Sequence, residues 1–167
     1  ARSINEHLSF GTEVFVAEMG TYGPGEIADL CAWIPPDISV MTAIGPVHLE
    51  RFGSLEVTLR SKAEITVQAK TVVLNVDDPL LASLVDHLKA QGKTVVRCST
   101  TRRDVEITVE VANTGEATLF ESGQPCGSLG QLAPGVQPIN VALAIGAARA
   151  LGVEAPSLLE RAPLLGQ

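Results

Sequence analysis

The chain has 167 residues, of which 46% are hydrophobic, and its formal net charge is −7. This length and hydrophobic content predict one folded domain with its own core and exclude a disordered chain. The acidic balance, with 4% aromatic residues, disfavours nucleic-acid binding, which needs a cationic surface. It also leaves no basic face to favour anionic membranes.

The three cysteines are Cys31, Cys98 and Cys126, and no two of them form a C-x-x-C pair. Their number and spacing disfavour a zinc site or a disulfide framework and are typical of a reducing compartment. No apolar run approaches the ~18 residues of a transmembrane helix, and no signal peptide is evident. Because the chain starts at Ala1 and ends at Gln167 after a helix-like stretch, we expect both ends to be cuts through a longer protein.

The first hundred residues alternate between apolar runs and helical patterns. Buried parallel strands are predicted at four runs, VFVA (14–17), ISVMTAI (38–44), TVVLNV (71–76) and TVVRCS (94–99). Helices are predicted over residues 1–8, 27–33, 54–69 and 80–91, the third with an apolar stripe of Leu55, Leu59, Ala63 and Val67. This alternation predicts a mostly parallel sheet with helices on both faces.

The pattern changes after Thr100. Three segments alternate with period two, with Gly115 and Gly123 at turns, and predict an antiparallel meander over 105–112, 116–122 and 126–132. Two helices follow, over 140–151 and 156–165. The prediction is a single α/β domain, a three-layer α/β/α sandwich with an added antiparallel section, divided into a parallel part (1–100), a meander (101–133) and C-terminal helices (134–167).

Polar side chains follow three consecutive predicted strands. They are Glu18 after the first, His48 and Glu50 after the second, and Asn75, Asp77 and Asp78 at the end of the third. Ligands of open α/β sheets bind at the carboxyl ends of the strands, so we expect these groups to share one ligand-binding edge. Carboxylates and an imidazole there could hold Mg²⁺, and the cation could hold phosphates.

Each of these residues also has a purely structural interpretation. Glu18 could be a carboxylate at a turn or a helix N-terminus, and His48 a structural histidine. Asp77 and Asp78 could be N-terminal caps of the helix that opens at Pro79.

Lys62 and a glycine-rich segment also have structural interpretations. Lys62 could be an ordinary solvated lysine on its helix. The glycine-rich GTYGPGE (20–26) matches no phosphate-binding fingerprint, and G-x-x-x-x-G-K-[ST] does not occur in these residues. The main phosphate cradle of a nucleotide site would therefore lie outside them.

Four segments, taken together, resemble the central domain of the Mur ligases. They are EMGTYGPGEIADL (18–30), PDISVMTAIGPVHLERFGS (36–54), SKAEI (61–65) and LNVDDP (74–79). The loop HLERFGS followed by KAEI is most similar to the members that add D-alanyl-D-alanine to UDP-N-acetylmuramoyl-tripeptide. Segment 140–153 is similar to the Asn- and Ala-rich helix near the end of that domain.

The resemblance implies an ATP-dependent ligase of peptidoglycan synthesis. A substrate carboxylate would attack the γ-phosphate of ATP to give an acyl phosphate and ADP, and an amine would then displace phosphate. The implied cofactors are ATP and Mg²⁺, the implied location is cytoplasmic, and the UDP-sugar-peptide would be bound through other domains. The isolated chain is expected to be inactive, and an exposed sheet edge is expected to favour a homodimer.

The resemblance also implies roles for individual residues. Glu18, His48 and Lys62 match metal-site positions, and Lys62 matches a lysine that is carbamylated in the family; with His48 it is the predicted catalytic residue. Asn140 is near the position of an adenine-contacting asparagine, and Asn75 and Asp77 match a signature that we assign to the cofactor.

The sequence departs from the family pattern just before Asn140. The usual Gly-x-His-Asn lead-in appears here as residues 135–138, with Gln137 in place of His, and its spacing to Asn140 is one residue short.

Two alternatives remain at this stage. The first is a sister ligase, either an amino-acid-adding Mur ligase, a folylpolyglutamate-synthase-like enzyme or a cyanophycin-type ligase. The second is a non-catalytic binding module that has kept the sheet without a phosphate loop.

Overall fold

The computed structural model describes residues 8–45 and 53–161. Its elements in chain order are α1 (Glu26–Trp33), β1 (Ile38–Met41), α2 (Leu55–Ala63), a 3₁₀ turn (Glu64–Thr66), β2 (Thr71–Asn75), α3 (Pro79–Ala82), α4 (Val85–Ala90), β3 (Thr94–Ser99), β4 (Ile107–Val111), β5 (Glu116–Glu121), β6 (Gln124–Gln131), α5 (Pro138–Ala150) and α6 (Ala155–Arg161). The predicted helix over 1–8 falls almost wholly outside the described residues, and so does the loop with His48 and Glu50.

Within the described residues, six strands form one mixed sheet in sequential order. β1, β2, β3 and β4 pair in parallel, and β4, β5 and β6 pair antiparallel. β4 therefore belongs to both parts, because Ile107 aligns with Cys98 of β3 in a parallel ladder while the same strand also starts the meander. The predicted parallel sheet with an added antiparallel section is confirmed.

Helices cover both faces of the sheet, as the three-layer prediction requires. Successive residues of β2 point to opposite faces: Val73 packs into the core beneath α5, whereas Val72 and Leu74 pack into the core beneath α2, α3 and α4. Gly146 lets α5 approach the sheet closely, since a Cβ there would lie 2.9 Å from the Cys98 Sγ atom and 3.0 Å from a Val73 methyl carbon.

The helix α5 runs antiparallel to the central strands. Near its start, the carbonyl of Ala142 accepts a hydrogen bond from the Cys98 thiol, near the carboxyl end of β3. Near its end, Arg149 lies beside Thr71 and Thr94, where β2 and β3 begin. The N-terminus of α5 is therefore at the carboxyl edge of the sheet.

Burial raises the pKa of the Cys98 thiol to about 12, so that cysteine remains protonated in the core.

The prediction of a buried strand at 14–17 is wrong. These residues form no strand, and Val14, Phe15 and Val16 are 52%, 43% and 88% exposed. A strand needs a neighbour for its backbone N–H and C=O groups. Within the described residues β1 pairs on one side only, with β2, and nothing pairs with residues 14–17.

The predicted helix over 80–91 is two short helices, α3 and α4. At the break, the Ser83 hydroxyl donates to the carbonyl of Leu80, and the Leu84 N–H bonds the carbonyl of Leu81 in a tighter i→i+3 turn. Val67 of the predicted apolar stripe is also 70% exposed, because the 3₁₀ turn after α2 rotates it out of line. In the described part of the chain no helix has the length and apolar character to cross a bilayer.

Candidate active site at the carboxyl edge of the sheet

The end of β2 fastens the end of β1. The Asn75 side chain is buried; its Nδ2 donates to the carbonyl of Thr42 at 2.8 Å, and its Oδ1 accepts from the Asp77 N–H at 2.9 Å. The Asp78 carboxylate caps α3 by accepting from the Leu80 and Leu81 N–H groups, as the capping interpretation predicts. Its second oxygen accepts from the Ile44 N–H at 2.7 Å, so β2 holds the backbone that leaves β1.

Asp77 fastens the end of β3 instead of capping a helix. One oxygen accepts from the Ser99 hydroxyl, and the other accepts from the Thr100 N–H at 2.8 Å and its hydroxyl at 2.7 Å. Partial burial raises the pKa of Asp77, but the Ser99 and Thr100 hydrogen bonds and the positive charge of Arg102 outweigh it, so the pKa lies below the ordinary value of 3.8. Both carboxylate oxygens are thus committed to protein donors.

Lys62 lies over the same edge. It belongs to the last turn of α2, it is half-buried, and its ammonium donates to the carbonyl of Ala43 at 3.4 Å. That carbonyl lies between the backbone groups held by Asn75 and Asp78. The structure therefore brings Lys62, Asn75 and the two aspartates together around the ends of β1, β2 and β3.

Of the other predicted site residues, Glu18 and Asn140 are described by the structure. Glu18 is exposed in the segment before α1, and in the described residues its carboxylate has no partner. Asn140 is exposed on the first turn of α5, which lies at this edge of the sheet. Gln137, which stands for the family's histidine, is the N-cap of α5 without a side-chain cap hydrogen bond. His48 is outside the described residues.

Glu64 is a residue that the sequence reasoning missed. One of its oxygens accepts from the Gly25 N–H at 2.8 Å and the other from the Ala28 N–H at 3.1 Å. Gly25, the first of these donors, is the last residue of the glycine-rich turn 20–25 and the N-cap of α1. Because Glu64 occupies these amides, they are not an open phosphate cradle.

The donors that remain could hold a cation. Over residues 8–45 and 53–161 no three His, Cys, Asp or Glu side chains cluster as a metal site. Asn75, Asp77 and Asp78 bond other groups of the chain, whereas in the part of the chain that the structure describes the Glu18 carboxylate has no bonded partner and the Lys62 amine has one long hydrogen bond. Carboxylate oxygen is a ligand that Mg²⁺ prefers, whereas a lysine amine is not, so Lys62 would suit this metal only as an anion.

The fold and this edge define a class of protein: a three-layer α/β domain whose polar groups gather where such sheets bind ligands. The chain belongs to the Mur ligase family, since its residues 2–148 match the Mur ligase middle domain. Mur ligases are ATP-dependent ligases.

Similar proteins agree with this family. The chain is 41% identical over 91 residues to the UDP-N-acetylmuramoyl-tripeptide–D-alanyl-D-alanine ligase (MurF) of Mycobacterium leprae, covering 53% of this chain and 17% of that protein. It is 29% identical over 150 residues to the UDP-N-acetylmuramoylalanine–D-glutamate ligase of Nitrobacter hamburgensis, covering 84% of this chain and 30% of that protein.

Among solved structures, MurF of Thermotoga maritima in complex with ADP superposes with a TM-score of 0.64 at 26% identity, over 81% of this chain and 33% of that one. The pseudomurein peptide ligase type C of Methanothermus fervidus superposes with a TM-score of 0.76 over 91% of this chain and 39% of that one, at 20% identity, and so supports the fold alone. The chain thus spans well under half the length of each of these proteins.

Proposed function

We propose that this chain is the nucleotide-handling central domain of a MurF-type ligase, which joins D-alanyl-D-alanine to UDP-N-acetylmuramoyl-tripeptide. The observation that carries the proposal is the 41% identity over 91 residues to the MurF of Mycobacterium leprae. The sequence HLERFGS followed by KAEI supports the same branch of the family. The activity belongs to the full-length protein, with the UDP-sugar-peptide bound through other domains, in the cytoplasm, where that substrate and ATP are found.

The carboxyl edge of the sheet is the proposed nucleotide side. The N-terminus of α5, with Asn140 on its first turn, faces this edge, and a helix N-terminus favours negatively charged groups. Asn75 and Asp77 would serve the nucleotide by fixing the ends of three strands, because their own polar atoms are already bonded within the chain.

Glu18 and Lys62 would hold Mg²⁺ together with His48. Carbamylation of the Lys62 amine would replace a cation with an oxygen anion, the kind of ligand that this metal prefers. When bound, the metal would neutralise negative charge on the phosphates. The half-buried position of Lys62, against the Ala43 carbonyl, would hold the modified side chain in one orientation.

The D-glutamate-adding Mur ligase is the second candidate. It is favoured by the Nitrobacter hamburgensis relative, which aligns over 84% of this chain, although at 29% identity. The two candidates differ in the substrate that supplies the amine, a dipeptide in one case and a single amino acid in the other.

The amine therefore provides the test. ADP release by the full-length protein is measured with ATP and Mg²⁺ and one of two substrate pairs. The first pair is D-alanyl-D-alanine with UDP-N-acetylmuramoyl-tripeptide, and the second is D-glutamate with UDP-N-acetylmuramoylalanine. We expect stimulation by the dipeptide pair only. Stimulation by D-glutamate alone would replace the proposal with the second candidate, and no stimulation by either pair would favour a non-catalytic binding module.

A further inference from the structure

We propose that Glu64 is a positioning residue that links the segment carrying Glu18 to the helix carrying Lys62. The inference rests on the function proposed above, in which these two residues serve one metal. Glu64 itself would touch neither the metal nor the substrate. Its carboxylate would set the separation of the two candidate ligands by bonding one element to the other.

The link consists of two hydrogen bonds to the start of α1. Glu64 Oε1 accepts from the Gly25 N–H at 2.8 Å, and Oε2 accepts from the Ala28 N–H at 3.1 Å. Gly25 is the N-cap of α1 with φ at 89°, and it has no side chain with which to cap the helix. The first N–H groups of a helix need partners, and a negative charge is favourable there. Glu64, which is 39 residues from Gly25 in the sequence, supplies both the hydrogen-bond acceptor and the negative charge.

The turn before α1 is tied to the helix at further points. The Glu26 carboxylate accepts from the Tyr22 N–H at 2.7 Å and from the Thr21 hydroxyl at 3.2 Å. The sulfur of Met19 lies 3.9 Å from that of Cys31, which is buried on α1. Glu18 directly precedes this turn, so we expect a displacement of α1 to move the backbone of Glu18 as well.

On the other side of the link, Glu64 is continuous with the helix of Lys62. It is the C-cap of α2, and its own N–H is bonded to the carbonyls of Ser61 and Lys62. The Lys62 side chain is bonded in turn to the carbonyl of Ala43 at the end of β1. One carboxylate therefore joins the two backbones that carry the candidate ligands.

Glu64→Gln tests the link with little change of shape. The amide keeps one acceptor oxygen, but its NH₂ group cannot accept from a backbone N–H. Glu106→Gln is the control for the same change elsewhere, because Glu106 accepts the backbone N–H of Arg97 at 2.8 Å, also pairs with the Arg97 guanidinium, and is partly buried outside the candidate site.

Both variants are made in the full-length protein. We expect Glu64→Gln to speed hydrogen exchange in the peptide covering residues 19–30 by about tenfold, the effect of losing one hydrogen bond to a charged group. We expect the Mg²⁺ concentration for half-maximal ADP release to rise at least about tenfold, as for other residues that orient metal ligands. The turnover rate at saturating Mg²⁺ should change less than about twofold, because the chemistry at the ligands is unaltered.

A calorimetric titration of Mg²⁺ into the ADP-bound protein gives a readout that does not depend on turnover. A tenfold weaker affinity in Glu64→Gln, with Glu106→Gln like the wild type, would support the positioning role. Unchanged Mg²⁺ affinity, or an equal loss in the control, would overturn it. A wild-type protein that releases no ADP with any amine would defeat the proposed function instead, and the titration would still decide the role of Glu64.

Discussion

At the scale of single residues, the carboxyl edge is held by side chains whose polar atoms are fully engaged. Asn75, Asp77 and Asp78 each bond a backbone group on a neighbouring strand or loop. Their position after a strand was predictable from the sequence, since strand ends in a parallel sheet share an edge. Their partners were not, because Thr42 and Thr100 become neighbours of these residues only through the sheet register.

Two buried serines should respond oppositely to alanine. The Ser39 hydroxyl on β1 is buried and, in the described part of the chain, has no hydrogen-bond partner. The Ser99 hydroxyl on β3 donates to Asp77 and accepts from the N–H groups of Thr101 and Arg102. An unsatisfied buried hydroxyl costs free energy, whereas removing a bonded one leaves its partners unpaired.

We therefore expect Ser39→Ala to leave the free energy of unfolding unchanged or to raise it by up to about 1 kcal/mol. Ser99→Ala should lower it by about 1–3 kcal/mol. Urea unfolding of both variants measures the difference. A larger loss in Ser39→Ala than in Ser99→Ala would contradict the contacts described for both residues.

Asp77 should contribute stability that disappears in acid. Its pKa is lower in the folded chain than the ordinary value of 3.8, so the folded state binds this proton less readily than the unfolded state. Its contribution is then fully present above that value and is lost as the pH falls below it through the folded pKa. Asp77→Asn should lower the melting temperature at neutral pH, and this loss should become smaller as the pH falls below 3.8.

The control for Asp77→Asn is Asp86→Asn, because Asp86 is exposed on α4. Thermal unfolding followed by circular dichroism across the pH range compares the two. A loss in Asp77→Asn that is the same at neutral and acid pH would show that the charge of this carboxylate is not what stabilises the fold.

At the scale of elements, the sequence predicted strand positions best for segments that are buried on both faces of the sheet. TVVLNV and TVVRCS are β2 and β3 within one residue, because continuous apolar runs are typical of central parallel strands. VFVA is also an apolar run, but without a pairing strand in the described residues it forms no ladder. Composition indicates strand propensity, whereas pairing depends on a neighbour that lies elsewhere in the sequence.

The contact between α5 and the sheet should be intolerant of a methyl group at Gly146. A Cβ there would lie 2.9 Å from Cys98 Sγ, 3.0 Å from Val73 Cγ1 and 3.3 Å from Val96 Cγ1. Alanine improves helix propensity by about 1 kcal/mol, but overpacking of a core costs about 1–3 kcal/mol. We expect Gly146→Ala to lower the free energy of unfolding by about 1 kcal/mol net.

Adding Cys98→Ala provides the internal control, since it removes the closest of the three atoms. The loss in the double variant should be smaller than the sum of the two single losses, as measured by chemical denaturation. Strict additivity, or a gain of stability in Gly146→Ala, would contradict the close approach of α5 to β3.

At the scale of the whole molecule, the sheet assembles a ligand edge from residues far apart in the sequence. The change from α/β alternation to period two marked the parallel and antiparallel parts, and the structure agrees, with β4 shared between them. Glu64 could not be identified in this way, because its partners are at the start of α1 and no spacing within SKAEI points to them.

The central claim is that Lys62, over this edge, is part of the metal site of a ligase. The most direct measurement is ADP release by the full-length Lys62→Ala variant, with and without a short carboxylic acid, and with Lys70→Ala, an exposed lysine, as the control. The account predicts near-complete loss in Lys62→Ala, partial recovery when the acid supplies the lost anion, and normal activity in Lys70→Ala. Wild-type activity in Lys62→Ala would contradict it and make Lys62 an ordinary helix lysine.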